Sequence, residues 1–273
     1  MTGAPPAEDR EIVVASLRVA FGDHEVLRGI DLVVRRGEFV AIVGPSGCGK
    51  SVLVEAITGR LTPDAGQVLV ADHERPGDPL VDVHAVPEAT RDELRRHWSI
   101  VFQHNALFSG TVAENIELWL REVADLPAEE IRERVRRSVE RVGLDPEQVL
   151  GVERDELSGG MAKRVAIARA IAMQPRLIFY DEPTTGLDPR HAAMVQDLVA
   201  EVHRGPAGGA AGPTTIVVTH DTTLLRRLAP RIVMIHAGRV HFDGSCAAFI
   251  ASDDPEIRPY LEAMEGLQAR CPS

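Results

Sequence analysis

The segment from Gly44 to Ser51 constrains the fold of this chain more than any other feature. Its sequence, Gly-Pro-Ser-Gly-Cys-Gly-Lys-Ser, matches the pattern G-x-x-x-x-G-K-[ST] at every fixed position. It follows the apolar run 38–43, which we interpret as a buried strand, and it precedes a helical pattern over 51–59. Glycines allow backbone N–H groups to surround phosphate oxygens without Cβ clashes. The segment, here called the phosphate loop, predicts a nucleotide site with these candidate residues: Gly44, Pro45, Ser46, Gly47, Cys48, Gly49, Lys50 and Ser51.

Two side chains of the phosphate loop have predicted roles. Lys50 would neutralise the β- and γ-phosphates, and the hydroxyl of Ser51 would bind Mg²⁺. The helix that begins near Lys50 adds its positive N-terminal end. The alternative is a glycine-rich turn without a ligand, but the flanking strand and helix favour the phosphate site.

A second strand, 177–180, ends in two adjacent acids, Asp181 and Glu182. Two carboxylates at a strand end are costly unless a cation or solvent holds them. Asp181 fits a Mg²⁺ ligand, and Glu182 fits the group that accepts a proton from attacking water. A solvated turn is the alternative, because Pro183 follows.

Composition excludes several classes of protein. Asp and Glu total 41 against 30 Lys and Arg, and this net charge of −11 argues against general nucleic-acid binding. The 44% hydrophobic and 26% charged content excludes disordered and fibrous chains. We expect no membrane span and no signal peptide, because long apolar runs are absent. The three cysteines are scattered, without metal-ligand spacing, and are expected to be reduced cytoplasmic thiols.

The pattern of elements predicts an α/β body with a helical insertion. Strands are predicted over 11–20, 26–34, 38–43, 99–103, 177–180, 215–218 and 232–235. The stretch 71–90 is interpreted as strand and loop, and 204–213 as a flexible surface loop. Between 111 and 157 the pattern is helical, with Ile131, Val135, Val139 and Val142 on one face. A helix is also predicted over 256–267.

The segment Leu157-Ser-Gly-Gly-Met161 permits two interpretations. Ser158 can cap the helix that follows, which requires no ligand. Gly159 and Gly160 leave the N-terminal amides of that helix uncovered, which would make a second anion site.

The order of these motifs along the chain resembles an ATP-binding cassette (ABC) ATPase from about residue 11 to 245. The resemblance implies an α/β P-loop NTPase (RecA-like) core, an antiparallel β subdomain and an inserted α-helical subdomain. We expect one ABC ATPase domain over 1–273. Its core would span about 11–103 and 165–245, its helical subdomain about 104–164 and its C-terminal tail about 246–273.

The resemblance also implies roles for matching residues outside the phosphate loop. Phe21 would stack on adenine, although a tyrosine is more usual there. Gln103 would touch Mg²⁺ and sense the membrane partner, and His220 would contact the γ-phosphate. Asp188 would lie in the loop that crosses the dimer interface. The signature residues Ser158, Gly159 and Gly160 would contact the γ-phosphate of ATP held by the other subunit.

One chain carries one phosphate loop and one signature, so the resemblance implies that a complete site needs two copies. ATP would close the dimer, and hydrolysis would release it. Transmembrane permease subunits are the implied partners, and the chain would lie on the cytoplasmic face of the membrane.

Three segments are similar to the ATPases of Mla/Mce-type lipid transporters. They are 156–164, in which Met161 replaces the usual glutamine, 102–108 after the sensor glutamine, and 254–261, which in those ATPases contacts the partner subunit. This branch implies a phospholipid cargo, with an accessory subunit and a lipid-binding shuttle. Met161 can also be neutral drift, and the tail an ordinary surface helix.

Three alternatives to lipid transport differ in what they require. An ABC transporter for another small solute would carry the same motifs, because the nucleotide site never touches the cargo. A DNA-repair or ribosome-associated ABC ATPase would carry a long coiled coil or two cassettes, and this chain has neither. An unrelated P-loop kinase would have no role for Leu157–Gly160.

Overall fold

The computed structural model describes residues 9–124, 126–205 and 212–269. These residues form two compact units. The first unit contains the chain up to Arg95 and from Thr214 onward, and the second contains Arg96 to Pro213. Most of the loop predicted over 204–213, and the first residues of the chain, lie outside the described residues.

The first unit contains eight of the strands that the structure describes, in two groups. The first group comprises β1 (Arg10–Phe21), β2 (His24–Arg35), β4 (Ala65–Val70) and β5 (Val81–Asp82). It is antiparallel, in the order β2-β1-β4-β5. The second group comprises β3 (Phe39–Val43), β8 (Thr214–Val218), β9 (Arg231–His236) and β10 (Arg239–Ser245). Here β3 pairs in parallel with both β8 and β9, and β10 runs antiparallel to β9.

The central strand of the second group is deeply buried. Residues 40–43 of β3 are 0% exposed, as expected for a parallel strand covered on both faces. The helices of this unit are α1 (Lys50–Ile57), α2 (Glu88–Arg95), α8 (Thr222–Leu228), α9 (Cys246–Ile250) and α10 (Ile257–Ala269). The apolar face of α10 is covered within its own chain, since Ile257, Leu261 and Met264 are all buried.

The second unit combines helices with two parallel strands. Its strands are β6 (Trp98–Val101) and β7 (Leu177–Asp181), which pair in parallel. Its helices are α3 (Val112–Val123), α4 (Ala128–Arg141), α5 (Pro146–Val149), α6 (Gly159–Ala172) and α7 (Pro189–Arg204). The predicted apolar face on α4 is confirmed, because Ile131, Val135, Val139 and Val142 are all at most 6% exposed.

The structure differs from the sequence interpretation at several places. Residues 88–95 form α2, whereas the stretch 71–90 was interpreted as strand and loop. The sequence patterns also did not predict the strands β4 and β10 or the helices α7, α8 and α9. In the exposed strand β10 no residue is fully buried, so an apolar signal is missing.

Among the described helices, none is both long enough and apolar enough to cross a bilayer. The domain boundaries inferred from the family resemblance remain a prediction.

Candidate nucleotide-binding site

The phosphate loop begins directly after β3, at Gly44, and ends in α1. Two of its glycines are required by space as well as by backbone conformation. Gly44 has φ 145°, and a Cβ there would lie 2.2 Å from the carbonyl oxygen of Ile235. Gly49 has φ 105°, and a Cβ there would lie 2.6 Å from Cδ2 of Leu27. The loop therefore depends on glycine to pass close to neighbouring strands.

Lys50 places a positive charge at the phosphate loop. Its ammonium donates hydrogen bonds to the carbonyl oxygens of Gly44 at 2.7 Å and Pro45 at 2.9 Å, which holds the charge over the loop. Among the described residues, no side chain caps α1 and no acid lies in its first turn. The first amides of α1 and the Lys50 charge thus form the donor set that a nucleotide phosphate needs.

The side chain of Tyr260 contacts the phosphate loop from outside it, and the Cys48 thiol lies within the loop. The hydroxyl of Tyr260, in α10, accepts a hydrogen bond from the backbone N–H of Gly44 at 3.1 Å. The Cys48 thiol lies 4.0 Å from Nζ of Lys50. Burial raises the pKa of the Cys48 thiol, and the nearby Lys50 charge offsets only part of that effect. Sequence patterns could not reveal Tyr260, which lies 216 positions from Gly44.

His220 follows β8 at the same sheet edge of the first unit as the phosphate loop. β3 and β8 are parallel neighbours, and Ile42 pairs with Val218 just before both strands end. The side chain of His220 is exposed at this edge. The Phe21 ring, at the tip of the β1–β2 hairpin, is 53% exposed and can present a flat face to a base.

In the second unit, Gln103 and the two acids also share one edge. Val101, at the end of β6, pairs with Tyr180 of β7, so Gln103 and Asp181 follow neighbouring parallel strand ends. Gln103 is exposed, and Asp181 and Glu182 are half-buried. Carboxylate and amide oxygens are ligands that Mg²⁺ prefers, so the chemistry of Asp181 and Gln103 fits the ion.

Glu182 has an unusual backbone for a residue with a side chain. Its φ is 47°, in the left-handed region. Its carboxylate accepts a long hydrogen bond of 3.4 Å from the Thr185 hydroxyl. The carboxylate that the sequence assigns as proton acceptor is therefore held by its local turn.

The signature residues lie at the start of α6, and the cap interpretation is correct. Oγ of Ser158 accepts a hydrogen bond from the Met161 N–H at 3.3 Å. Ser158 and Gly159 are nevertheless exposed, so the start of α6 remains accessible. The cap and the anion site are compatible, because one serine satisfies only one of the N-terminal amides.

Asp188 is tied to the signature through a histidine that the sequence patterns did not indicate. Asp188 caps α7 and pairs with Nδ1 of His191. The His191 ring packs on Gly160, where an added Cβ would lie 2.8 Å from its Cδ2. The hydrogen bond from His191 holds the pKa of Asp188 below its ordinary value.

The described residues contain no cluster of three His, Cys, Asp or Glu side chains that would hold a metal alone. The phosphate loop, Phe21 and His220 belong to the first unit, and the remaining candidates belong to the second. The individual roles of all these residues remain predictions.

The fold and the phosphate loop define a P-loop nucleotide-binding protein of the α/β class. The family model described as "ABC transporter" matches residues 27–185, and the chain belongs to this family. It is the ATP-binding, ATP-hydrolysing subunit type of an ABC transporter, a family whose ATPases form dimers and act with transmembrane permease subunits.

Two curated relatives and one solved structure give the range of similarity. The methionine import ATP-binding protein MetN of Caulobacter vibrioides is 38% identical over 90% of this chain and 70% of its own length. The intermembrane phospholipid transport system ATP-binding protein MlaF of Escherichia coli K12 is 35% identical over 89% of this chain and 85% of its own length. The ATP-binding cassette MJ0796, solved as a post-hydrolysis dimer with ADP and Pi, superposes with a TM-score of 0.73 at 28% identity, covering 86% of this chain and 98% of that chain.

Proposed function

We propose that the chain powers a lipid transporter of the Mla/Mce type, with phospholipid as cargo. The match to MlaF, at 35% identity over 85% of that protein, supports this proposal. An L-cystine transport ATP-binding protein of Escherichia coli K12 matches equally well, at 36% identity over 97% of its own length, so the sequence segments below carry the choice of branch. Met161 in place of glutamine, and the tail segment 254–261, support the same branch.

A transporter of another small solute is the second candidate. The higher identity to the methionine import protein, 38% against 35%, favours it. Nothing in the nucleotide site distinguishes the two, because that site binds ATP whatever the cargo is.

The proposed chemistry is attack of water on the γ-phosphorus of ATP. Glu182 accepts the proton of the attacking water, the bond to the β–γ bridging oxygen breaks, and ADP and inorganic phosphate are released. Lys50 holds the phosphates, and His220 and Gln103 contact the γ-phosphate region. Ser51, Gln103 and Asp181 would hold Mg²⁺, which would supply charge neutralisation for the phosphates when bound.

The proposed assembly is a homodimer of this chain on two permease subunits at the cytoplasmic face of the membrane. Ser158 and Gly159 of one copy would bind the ATP held by the other copy. Three apolar side chains of the second unit support a permease contact after Gln103, because Phe108 and Trp119 are 46% exposed and Leu118 is 37% exposed. An accessory subunit and a lipid-binding shuttle would complete the system.

Co-purification and reconstitution test this proposal. The tagged chain should bring down a multi-spanning membrane protein, and the complex should move fluorescent phospholipid between vesicles only with MgATP. A Glu182→Gln complex is the matched control for ATP dependence. Uptake of methionine without phospholipid movement would replace the lipid branch by the small-solute branch.

A further inference from the structure

Residues 102–108, which we call the sensor loop, follow β6 and contain Gln103. The loop has no regular structure of its own. Its shape is instead held by side chains that donate to its backbone carbonyls. Nζ of Lys163 donates to the carbonyl oxygens of Phe102 at 3.1 Å and Gln103 at 2.8 Å.

A second cation of the same helix holds the middle of the loop. The Arg169 guanidinium donates to the carbonyl oxygens of Ala106 at 2.8 Å and Asn105 at 3.3 Å. Its charge also lies 5.4 Å from the centre of the Phe108 ring. The end of the loop is held by Arg154, which donates to Leu107, and by the Asn115 side chain.

Lys163 is buried to a degree that is rare for a lysine. It is 1% exposed, and its neighbours on α6 are mostly apolar. Desolvation lowers its pKa to about 8, although the charge of Asp181 opposes that shift. A charge in such a position is retained only where specific partners satisfy it, and here those partners are the two sensor-loop carbonyls.

The choice of lysine at this position is also unusual for this chain. The sequence has 30 Lys and Arg, of which only Lys50 and Lys163 are lysines. The compact ammonium of Lys163 donates to two adjacent carbonyls from a single point charge. Of the two lysines, Lys50 lies in the phosphate loop and Lys163 holds the backbone of the sensor loop.

From this geometry we infer that Lys163 is a positioning residue, which fixes the backbone of Gln103 and joins the sensor loop to the signature helix as one rigid body. Lys163 lies five residues after Ser158 on α6. A movement imposed on the sensor loop is therefore passed to the signature through a single continuous helix. This inference rests on the proposed roles of Gln103 and Ser158.

Limited proteolysis of the full chain tests directly whether Lys163 holds the sensor loop in place. Lys163→Met removes the ammonium that donates to both carbonyl oxygens and retains an unbranched buried side chain. Cleavage by chymotrypsin after Phe102, Leu107 or Phe108, mapped by mass spectrometry, should become about tenfold faster or more. Arg164→Met, which among the described residues loses the hydrogen bond to the Gly143 carbonyl, is the matched control and should leave that rate unchanged.

Steady-state kinetics test positioning against a general structural role. With Lys163→Met, kcat for ATP should fall about tenfold while KM changes little, because the phosphate loop is intact. Lys163→Arg should restore part of kcat, since a guanidinium can reach at least one carbonyl. If Lys163→Met folds poorly, Lys163→Gln replaces it, because its shorter amide cannot reach both oxygens.

The outcomes separate this inference from the proposed function. An unchanged cleavage rate of the sensor loop in Lys163→Met overturns the inference. An equal increase of that rate in Arg164→Met overturns it as well. A rise in KM with an unchanged kcat also overturns it. Unchanged hydrolysis in Glu182→Gln would instead contradict the assigned chemistry and would leave the cleavage result for Lys163 intact.

Discussion

The backbone N–H of Gly44 donates to the hydroxyl of Tyr260, so the C-terminal helix α10 holds the first residue of the phosphate loop. The N to O distance is 3.1 Å. The segment 254–261 was expected to contact a partner ATPase, and that expectation remains a prediction. Within one chain, however, α10 already has a structural role at the nucleotide site.

Tyr260→Phe should remove the acceptor of the Gly44 N–H. We expect the free energy of unfolding to fall by about 1 kcal/mol and the Kd for ATP to rise by less than about tenfold. Chemical denaturation and nucleotide titration measure the two effects. Tyr180→Phe is the matched control, because the buried Tyr180 hydroxyl has no hydrogen-bond partner among the described residues. An equal loss of stability in both variants would show that the Gly44 contact contributes nothing.

Ser158→Arg should prevent the closed dimer but leave ATP binding to the monomer nearly intact. The large side chain would block the exposed start of α6, whereas the phosphate loop belongs to the first unit. Light scattering with ATP, in a Glu182→Gln background, measures dimer formation. Ser158→Ala separates the cap from the interface, because it should cost about 1 kcal/mol of stability and still permit dimers. Loss of ATP binding by the Ser158→Arg monomer would argue against a signature that acts in the second copy.

Glu182→Gln should slow hydrolysis by about 10²–10⁴ and leave ATP binding unchanged, because it removes the proton acceptor and not a phosphate ligand. A stable ATP-bound dimer should then accumulate and be visible by gel filtration. Glu201→Gln, the same chemical change at an exposed position of α7, should leave the rate unchanged. A normal rate in Glu182→Gln would assign the proton to another group.

Alkylation of Cys48 should be slow at neutral pH and should be blocked by MgATP. Burial raises the pKa of the thiol, so the reactive thiolate is scarce, and the rate should rise about tenfold per pH unit below that pKa. Peptide mapping after iodoacetamide treatment measures each cysteine separately. Cys246 is 4% exposed and should react slowly with or without nucleotide. Equal labelling of Cys48 with and without MgATP would place the nucleotide away from this loop.

The sequence predicted the parts of the fold that have strong local signals. The phosphate loop, β3 and the apolar face of α4 were all visible in residue spacing. The helix α2 was not predicted, because Leu94 is its only buried residue and its sequence has no periodic apolar residues. The strand β10 was missed for the same physical reason.

Motif spacing identified the candidate site residues but not the contacts that hold them. Lys163 looked like an ordinary helical cation, although it is buried against carbonyls 60 and 61 positions away. The contacts of Tyr260 with Gly44 and of His191 with Gly160 are also invisible locally. Such pairs depend on how distant elements pack, and one sequence carries no direct signal for that.

At Glu182, where φ is 47°, the residue that would be best for stability differs from the residue that the proposed catalysis needs. In that region a residue with a Cβ has a conformational free energy about 1–2 kcal/mol less favourable than glycine. Glu182→Gly should therefore give a more stable protein that no longer hydrolyses ATP. A library selected for heat tolerance alone should therefore enrich glycine at residue 182, whereas selection for ATP hydrolysis should retain glutamate.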